Sequence, residues 1–175
     1  MAVLSNFAIE HQSQDQWCWA AICISVFRFF NDQRWPTQCA LVNDTFRDVL
    51  AGDDCCQDGT SVDCDRSWDV GLVLFNNGHM VLPQIEGPMD FGALTLEIVN
   101  NQSPVVIRVQ FDDGVTDHFV AIVGCAADTD GKQIIQIADP SCAAGNFSKF
   151  EFDNFPGNYR PGTTWVNSYR TKTGG

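Results

Sequence analysis

Residues 17–30 read WCWAAICISVFRFF, a run that is apolar on nearly every face. It is too long for an ordinary strand and too evenly apolar for a surface helix, so it predicts a central helix buried on all sides. The rest of the fold must be assembled around that helix. Residues 38–50, QCALVNDTFRDVL, place Leu41, Val42, Phe46, Val49 and Leu50 at a helical spacing, which predicts a second helix packed on the first.

After the loop AGDDCCQDGTSVDCD, rich in Gly and Asp, residues 68–75 and 91–100 predict two shorter helices. The pattern changes at Pro104. SPVVIRVQF, HFVAIVGCA and KQIIQIAD are β-branched apolar runs, the last two joined by ADTDGK, whose Asp-Gly step suits a hairpin. FSKFEF and TTWVNSYR add further alternating strands. Helices first and strands afterwards predict an α+β domain, an N-terminal helical lobe facing a C-terminal antiparallel β-sheet with a cleft between them. With 175 residues, 45% of them hydrophobic, one core suffices. The expected organisation is a single domain over 1–175, mainly helical at 1–101, mainly β at 102–170, with a flexible tail at 171–175.

The chain carries 10 Lys and Arg against 22 Asp and Glu, a net charge of −12. Such acidity argues against nucleic acid or an anionic membrane as main partner, since both are polyanions. No apolar run reaches the roughly 20 residues of a membrane-spanning helix. The opening MAVLSNFAIEHQ lacks a basic stretch followed by an apolar one, so no signal peptide is expected in this chain. The expectation is a soluble protein, either cytoplasmic or exported with its leader removed.

Eight cysteines follow no tight framework. Cys23 and Cys125 fall in apolar runs and read as small buried hydrophobes. Cys39, Cys55, Cys56, Cys64 and Cys142 flank or occupy polar loops, where disulfides are plausible in an oxidising compartment. Cys55, Cys56 and Cys64 lack the paired CxxC spacing of a zinc site, so no metal is expected.

Cys18 stands apart because it opens the apolar helix instead of lying inside it. Unpaired N–H groups and the helix dipole at that end would stabilise a thiolate. A base is needed beside it, and the chain has three histidines: His11, His79 and His118. His118 opens the strand HFVAIVG, where a rigid sheet could hold its imidazole at the rim of a cleft. His79 lies in NNGH, which reads as a solvated loop, and His11 lies in the polar lead-in to Cys18. A catalytic imidazole also needs a partner to orient it. Asp139 ends the strand QIIQIAD before Pro140, and a hairpin would bring it to His118. Asp117 would point to the opposite face from His118, and Asp128 and Asp130 lie in the turn. Gln12, Gln14 and Gln16 compete as oxyanion donor beside the Cys18 N–H, and spacing alone favours none.

The stretches QSQDQWCWAA, DHFVAIVG and IADPS resemble the papain-like cysteine proteases, in particular compact bacterial members: staphopain-like enzymes, bacteriocin-leader-processing peptidases and plant-pathogen effector proteases. The resemblance runs over nearly the whole chain. It implies a papain-like fold with Cys18, His118 and Asp139 as catalytic residues, and it prefers Gln12 for the oxyanion hole, six residues before Cys18. Asp139 stands where papain itself has asparagine. The cysteine-bearing stretch from TQCALVNDTF through DCC implies a disulfide among Cys39, Cys55 and Cys56, with the pairing open. The activity implied is a cysteine endopeptidase acting on protein or peptide substrates through a thioester, without a cofactor. A transglutaminase or deamidase with the same triad, and a non-catalytic binding module, are the alternatives. Trp17 and Trp19 are expected as core anchors. Leader-processing relatives cleave after double glycine, so Gly174 and Gly175 could be a product end or a recognised tail; a flexible terminus is the simpler account.

Overall fold

The buried central helix exists and sets the arrangement. A computed structural model, which describes residues 1–50, 52–141 and 147–174, places helix α1 at Cys18–Phe29, with every residue from Cys18 to Phe27 buried. The polar Ser25 in its middle is satisfied twice, donating to the Ala21 carbonyl (2.7 Å) and accepting from the Glu10 N–H (2.9 Å). Helices α2 (Gln38–Thr45) and α3 (Val70–Asn76) pack on α1 through Leu41, Val42, Val70, Val73 and Leu74. Both carry side-chain N-caps, Thr37 and Asp69. A short helix α4 (Phe91–Thr95) leads into a π-turn at Leu96–Asn100.

The sheet comprises β1 (Ala2–Val3), β2 (Met80–Glu86), β3 (Val105–Phe111), β4 (Asp117–Ala127), β5 (Gln133–Ala138), β6 (Phe147–Glu151) and β7 (Thr163–Thr171). Among the described residues it is seven-stranded and antiparallel, in the order β2-β7-β3-β4-β5-β6, with β1 paired to β4. The protein is therefore α+β. Along β4, Phe119, Ala121, Val123 and Cys125 pack toward α1, while Val120 and Ile122 pack on the opposite face among Leu94, Ile107, Ile137 and Trp165. Both faces of the centre are covered, which is why β4 reads as a continuous apolar run instead of an alternating one. The β4–β5 hairpin turns through Gly131 at φ +80°, as its Asp-Gly step suggests.

Several elements differ from the sequence reading. α2 stops at Thr45, well short of residue 50, and Val49 is exposed: Leu41, Val42 and Phe46 already complete the buried face. β1 and β2 lie in the half read as helical. β2 contains Pro83, which a strand tolerates at a sheet edge, and its register with β7 shifts between Val81 and Ile85. His79 is not solvated. Gly78, at φ +82°, turns the chain so that the His79 ring is buried between Phe27 and Phe30. Thr171, expected to begin the tail, is the last residue of β7, and the Lys172 N–H donates to the His79 carbonyl at 3.1 Å. Gly175 lies outside the described residues.

Among the described residues two disulfides form: Cys39–Cys56 ties α2 to the loop between α2 and α3, and Cys55–Cys64 lies within that loop. That loop is bound to the start of α1. The buried indoles of Trp17 and Trp19 donate to the Cys64 and Arg66 carbonyls at 2.8 and 3.0 Å, and Gln16 N–H donates to Asp65 at 2.8 Å. Both tryptophans are thus core anchors. Cys142, the remaining loop cysteine, lies outside the described residues. The Cys39–Cys56 bridge spans 17 residues, and closing a loop of that size contributes about 3 kcal/mol by constraining the unfolded chain. Replacing both cysteines with serine is expected to lower the thermal midpoint by roughly 6–12 °C. A calorimetric scan showing no change would mean that the loop is not coupled to folding.

Candidate active site

Three elements converge where α1 begins. Cys18 is the first residue of α1, whose N-terminus has no side-chain cap, so the first-turn N–H groups are not taken by a capping side chain. His118, at the start of β4, and Asp139, just past the end of β5, are both buried. The antiparallel register Ala121↔Ala138 brings these strand ends together, and His118 Nε2 lies 2.7 Å from Asp139 Oδ1. The Cys18 thiol lies near enough to the same imidazole to raise its pKa. With Nε2 facing the carboxylate, Nδ1 is the ring nitrogen left for sulfur.

The electrostatics follow from these contacts. Burial pulls the His118 imidazole down, but hydrogen bonds and charge from Asp139 and Cys18 outweigh it and hold His118 above its ordinary value of 6.5. Burial alone would raise Asp139. Its bonds to His118, Tyr159 and Ser141 reverse that and keep the carboxyl well below the usual range. Asp139 therefore stays ionised and His118 is biased toward imidazolium.

Strand patterning gave no sign of Asp139's other partners. Ser141 donates to Oδ1 through N–H (2.9 Å) and hydroxyl (2.8 Å), while Tyr159 O–H and an Arg160 N–H donate to Oδ2 at 2.5 and 3.0 Å. The available clue was the adjacent Tyr and Arg of FPGNYRPG, in a chain with only 10 Lys and Arg.

Gln12 is placed differently from a ready oxyanion donor. Its amide nitrogen donates to the carbonyls of Gln14 (3.0 Å) and Asp15 (2.8 Å), while its Oε1 is buried without a hydrogen-bond partner. Gln16 accepts from Ser67 at 2.8 Å. His11 Nδ1 lies 2.8 Å from the Pro140 carbonyl, which also accepts the Gln12 N–H at 2.9 Å, so the lead-in is tied to the strand end that carries Asp139. His79 meets Asp32 (2.9 Å) and the Lys172 carbonyl (3.0 Å) at the other end of α1. Cys23 and Cys125 are buried, and burial raises both thiols.

A cavity of about 300 Å³ opens beside Cys18, walled by Trp68, Phe119 and Tyr169. Its polar lining consists of Ser67, Asp69 and the ion pair Arg108–Asp117 (2.6 Å). Asp117 lines this cavity, paired with Arg108. Arg108 Nε and Asp117 Oδ1 are buried without hydrogen-bond partners, and burial, with Asp69 nearby, pushes the Tyr169 phenol up to about 12. The cavity suits a side chain with an apolar stem and a polar end. Among the described residues no group of three or more His, Cys, Asp or Glu side chains is placed to hold a metal ion, and no helix is long and apolar enough to cross a membrane. No protein-family model matches this chain, and no curated protein matches its sequence.

Because burial opposes the imidazolium and Asp139 supports it, Asp139→Asn is expected to bring the His118 pKa down toward or below 6.5. An NMR titration of the ring, assigned by loss of the signal in His118→Ala, reads this directly. An unchanged value would remove Asp139 as the group that sustains the histidine.

Proposed function

We propose that the protein is a papain-like cysteine peptidase, with Cys18 as nucleophile, His118 as acid and base, and Asp139 as the residue that orients the histidine. The observation that carries this reading is the single imidazole held between a thiol at an uncapped helix start and an ionised buried carboxylate. The order of these groups supports it as well: cysteine on the central helix, then histidine and aspartate on an antiparallel sheet packed against it.

The chemistry follows from the geometry. Proton transfer to His118 leaves Cys18 as thiolate, which attacks the carbonyl carbon of a peptide bond. The negative charge on the carbonyl oxygen is met by the Cys18 backbone N–H, and by the Gln12 amide once it releases one of its two carbonyls. His118 gives its proton to the departing amine, forming a thioester, and then takes a proton from the water that hydrolyses it. Asp139 keeps the ring's Nε2–H directed away from sulfur throughout. The cavity walled by Trp68, Phe119 and Tyr169 is where a substrate side chain next to the scissile bond would lodge.

Intact-mass analysis after treatment with an epoxide reagent for papain-type thiols tests the reading. One adduct on Cys18 is expected, absent in Cys18→Ala and slowed at least 100-fold in His118→Ala, with cleavage of a denatured protein following the same order. Labelling of Cys18 at the rate of an ordinary thiol would refute catalysis. A gain of one mass unit per glutamine without cleavage would replace peptidase by deamidase.

A further inference from the structure

The Asp139 carboxylate is held from two sides, and His118 occupies only one of them. Oδ2 receives the Tyr159 hydroxyl and the Arg160 guanidinium. The same Arg160 nitrogen reaches Ser141 Oγ at 2.6 Å, bridging the aspartate and the turn just beyond it. These donors are fixed by packing independent of the carboxylate. The Tyr159 ring meets Phe150 edge-on at 5.4 Å and stacks on Phe155 at 5.7 Å, and Phe155 abuts Trp165 at 5.6 Å. The Arg160 guanidinium lies over the Tyr159 ring at 5.2 Å and the Phe111 ring at 5.9 Å. Arg160 brings a fixed positive charge to the carboxylate that also pairs with His118, whose own charge must come and go in the proposed mechanism.

We propose that Tyr159 and Arg160 are positioning residues for His118: acting through Asp139, they fix the carboxylate and draw its charge away from the imidazole, keeping the ring less basic than an uncompensated buried aspartate would make it. The proposal deepens the peptidase reading and rests on it. A histidine that serves as both acid and base works best when its pKa stays near the working pH, and a buried aspartate with no second partner would drive it too high. Among the described residues, the ionisable groups facing the ring are Cys18 from α1 and Asp139 from the end of β5, with Tyr159 and Arg160 behind the carboxylate. Arg108, Asp117, Asp69 and Tyr169 line the cavity on the other side of Cys18. Arg108 is already paired with Asp117, while Arg160 is paired with Asp139 itself.

The direction of the effect separates this role from a merely structural clamp. Loosening Asp139 would weaken its bond to His118 and lower the ring's pKa, whereas removing a compensating charge raises it. The His118 titration is therefore monitored by NMR in the native chain, Arg160→Gln, Arg160→Lys and Tyr159→Phe, the last retaining the ring packing. Arg160→Gln is expected to raise the His118 pKa by about 0.5–1 unit, Tyr159→Phe to raise it less, and Arg160→Lys to stay within about 0.3 unit of native. A fall or no change in Arg160→Gln, with Arg160→Lys native-like, would overturn the proposal. The ring titration is independent of turnover. Cys18 alkylation rates measured on the same proteins show separately whether the catalytic reading fails.

Discussion

The constraint on which the molecule depends is the burial of α1 around its whole circumference. An apolar helix with no polar face must be enclosed, and here the sheet closes one side while α2, α3 and the disulfide-crossed loop close the others. Burying a large apolar side chain is worth about 1.5–3 kcal/mol, so Trp17, Trp19, Ile22, Ile24 and Phe27 together outweigh what any surface contact contributes. The enclosure leaves the end of the helix as the place where α1 meets a cleft. Cys18 sits there because the first turn must remain near the surface for the chain to enter the core, and the two indole hydrogen bonds to the Cys64 and Arg66 carbonyls keep that turn in position.

The candidate site is the electrostatic complement of that apolar frame. A buried carboxylate is costly unless its oxygens are partnered, and Asp139 has donors on both: His118 and Ser141 on one oxygen, Tyr159 and Arg160 on the other. The ionised form is held strongly, so the mobile proton belongs to the Cys18–His118 side. In the mechanism we propose, the carboxylate serves as a fixed charge and the ring exchanges the proton.

The sequence was informative where a local pattern carried the physics. Residues 17–30 announce burial because no face of a helix built from them is polar, and His118 and Asp139 stand out as polar residues at the ends of apolar strands. It was silent where tertiary contacts decide. β2 is masked by Pro83, which only an edge position tolerates. Cys55 and Cys56 are neighbours yet bridge to different partners, on opposite sides in sequence, and residue counting cannot assign such a pair. Tyr159 and Arg160 reach Asp139 from a loop about twenty residues away, positioned by an aromatic cluster that contributes no periodic signal.

A second histidine–aspartate contact shows why geometry and not residue type marks the site. At the far end of α1, His79 is buried with Nε2 2.9 Å from Asp32 and Nδ1 3.0 Å from the Lys172 carbonyl. Arg34, with His79, holds Asp32 well below the usual carboxylate range. Both ring nitrogens face fixed acceptors, and Gly174 packs against the ring where a larger residue would not fit. No nitrogen is left to exchange a proton with a reacting group, so this pair fastens the last strand and its C-terminal extension to the helix. His118 differs in one respect: its Nε2 meets Asp139, and the Cys18 thiol is the ring's other ionisable neighbour, a group that can give up its proton and then act as a nucleophile. The same two side-chain types therefore build a structural fastening at one end of the helix and the catalytic arrangement we propose at the other.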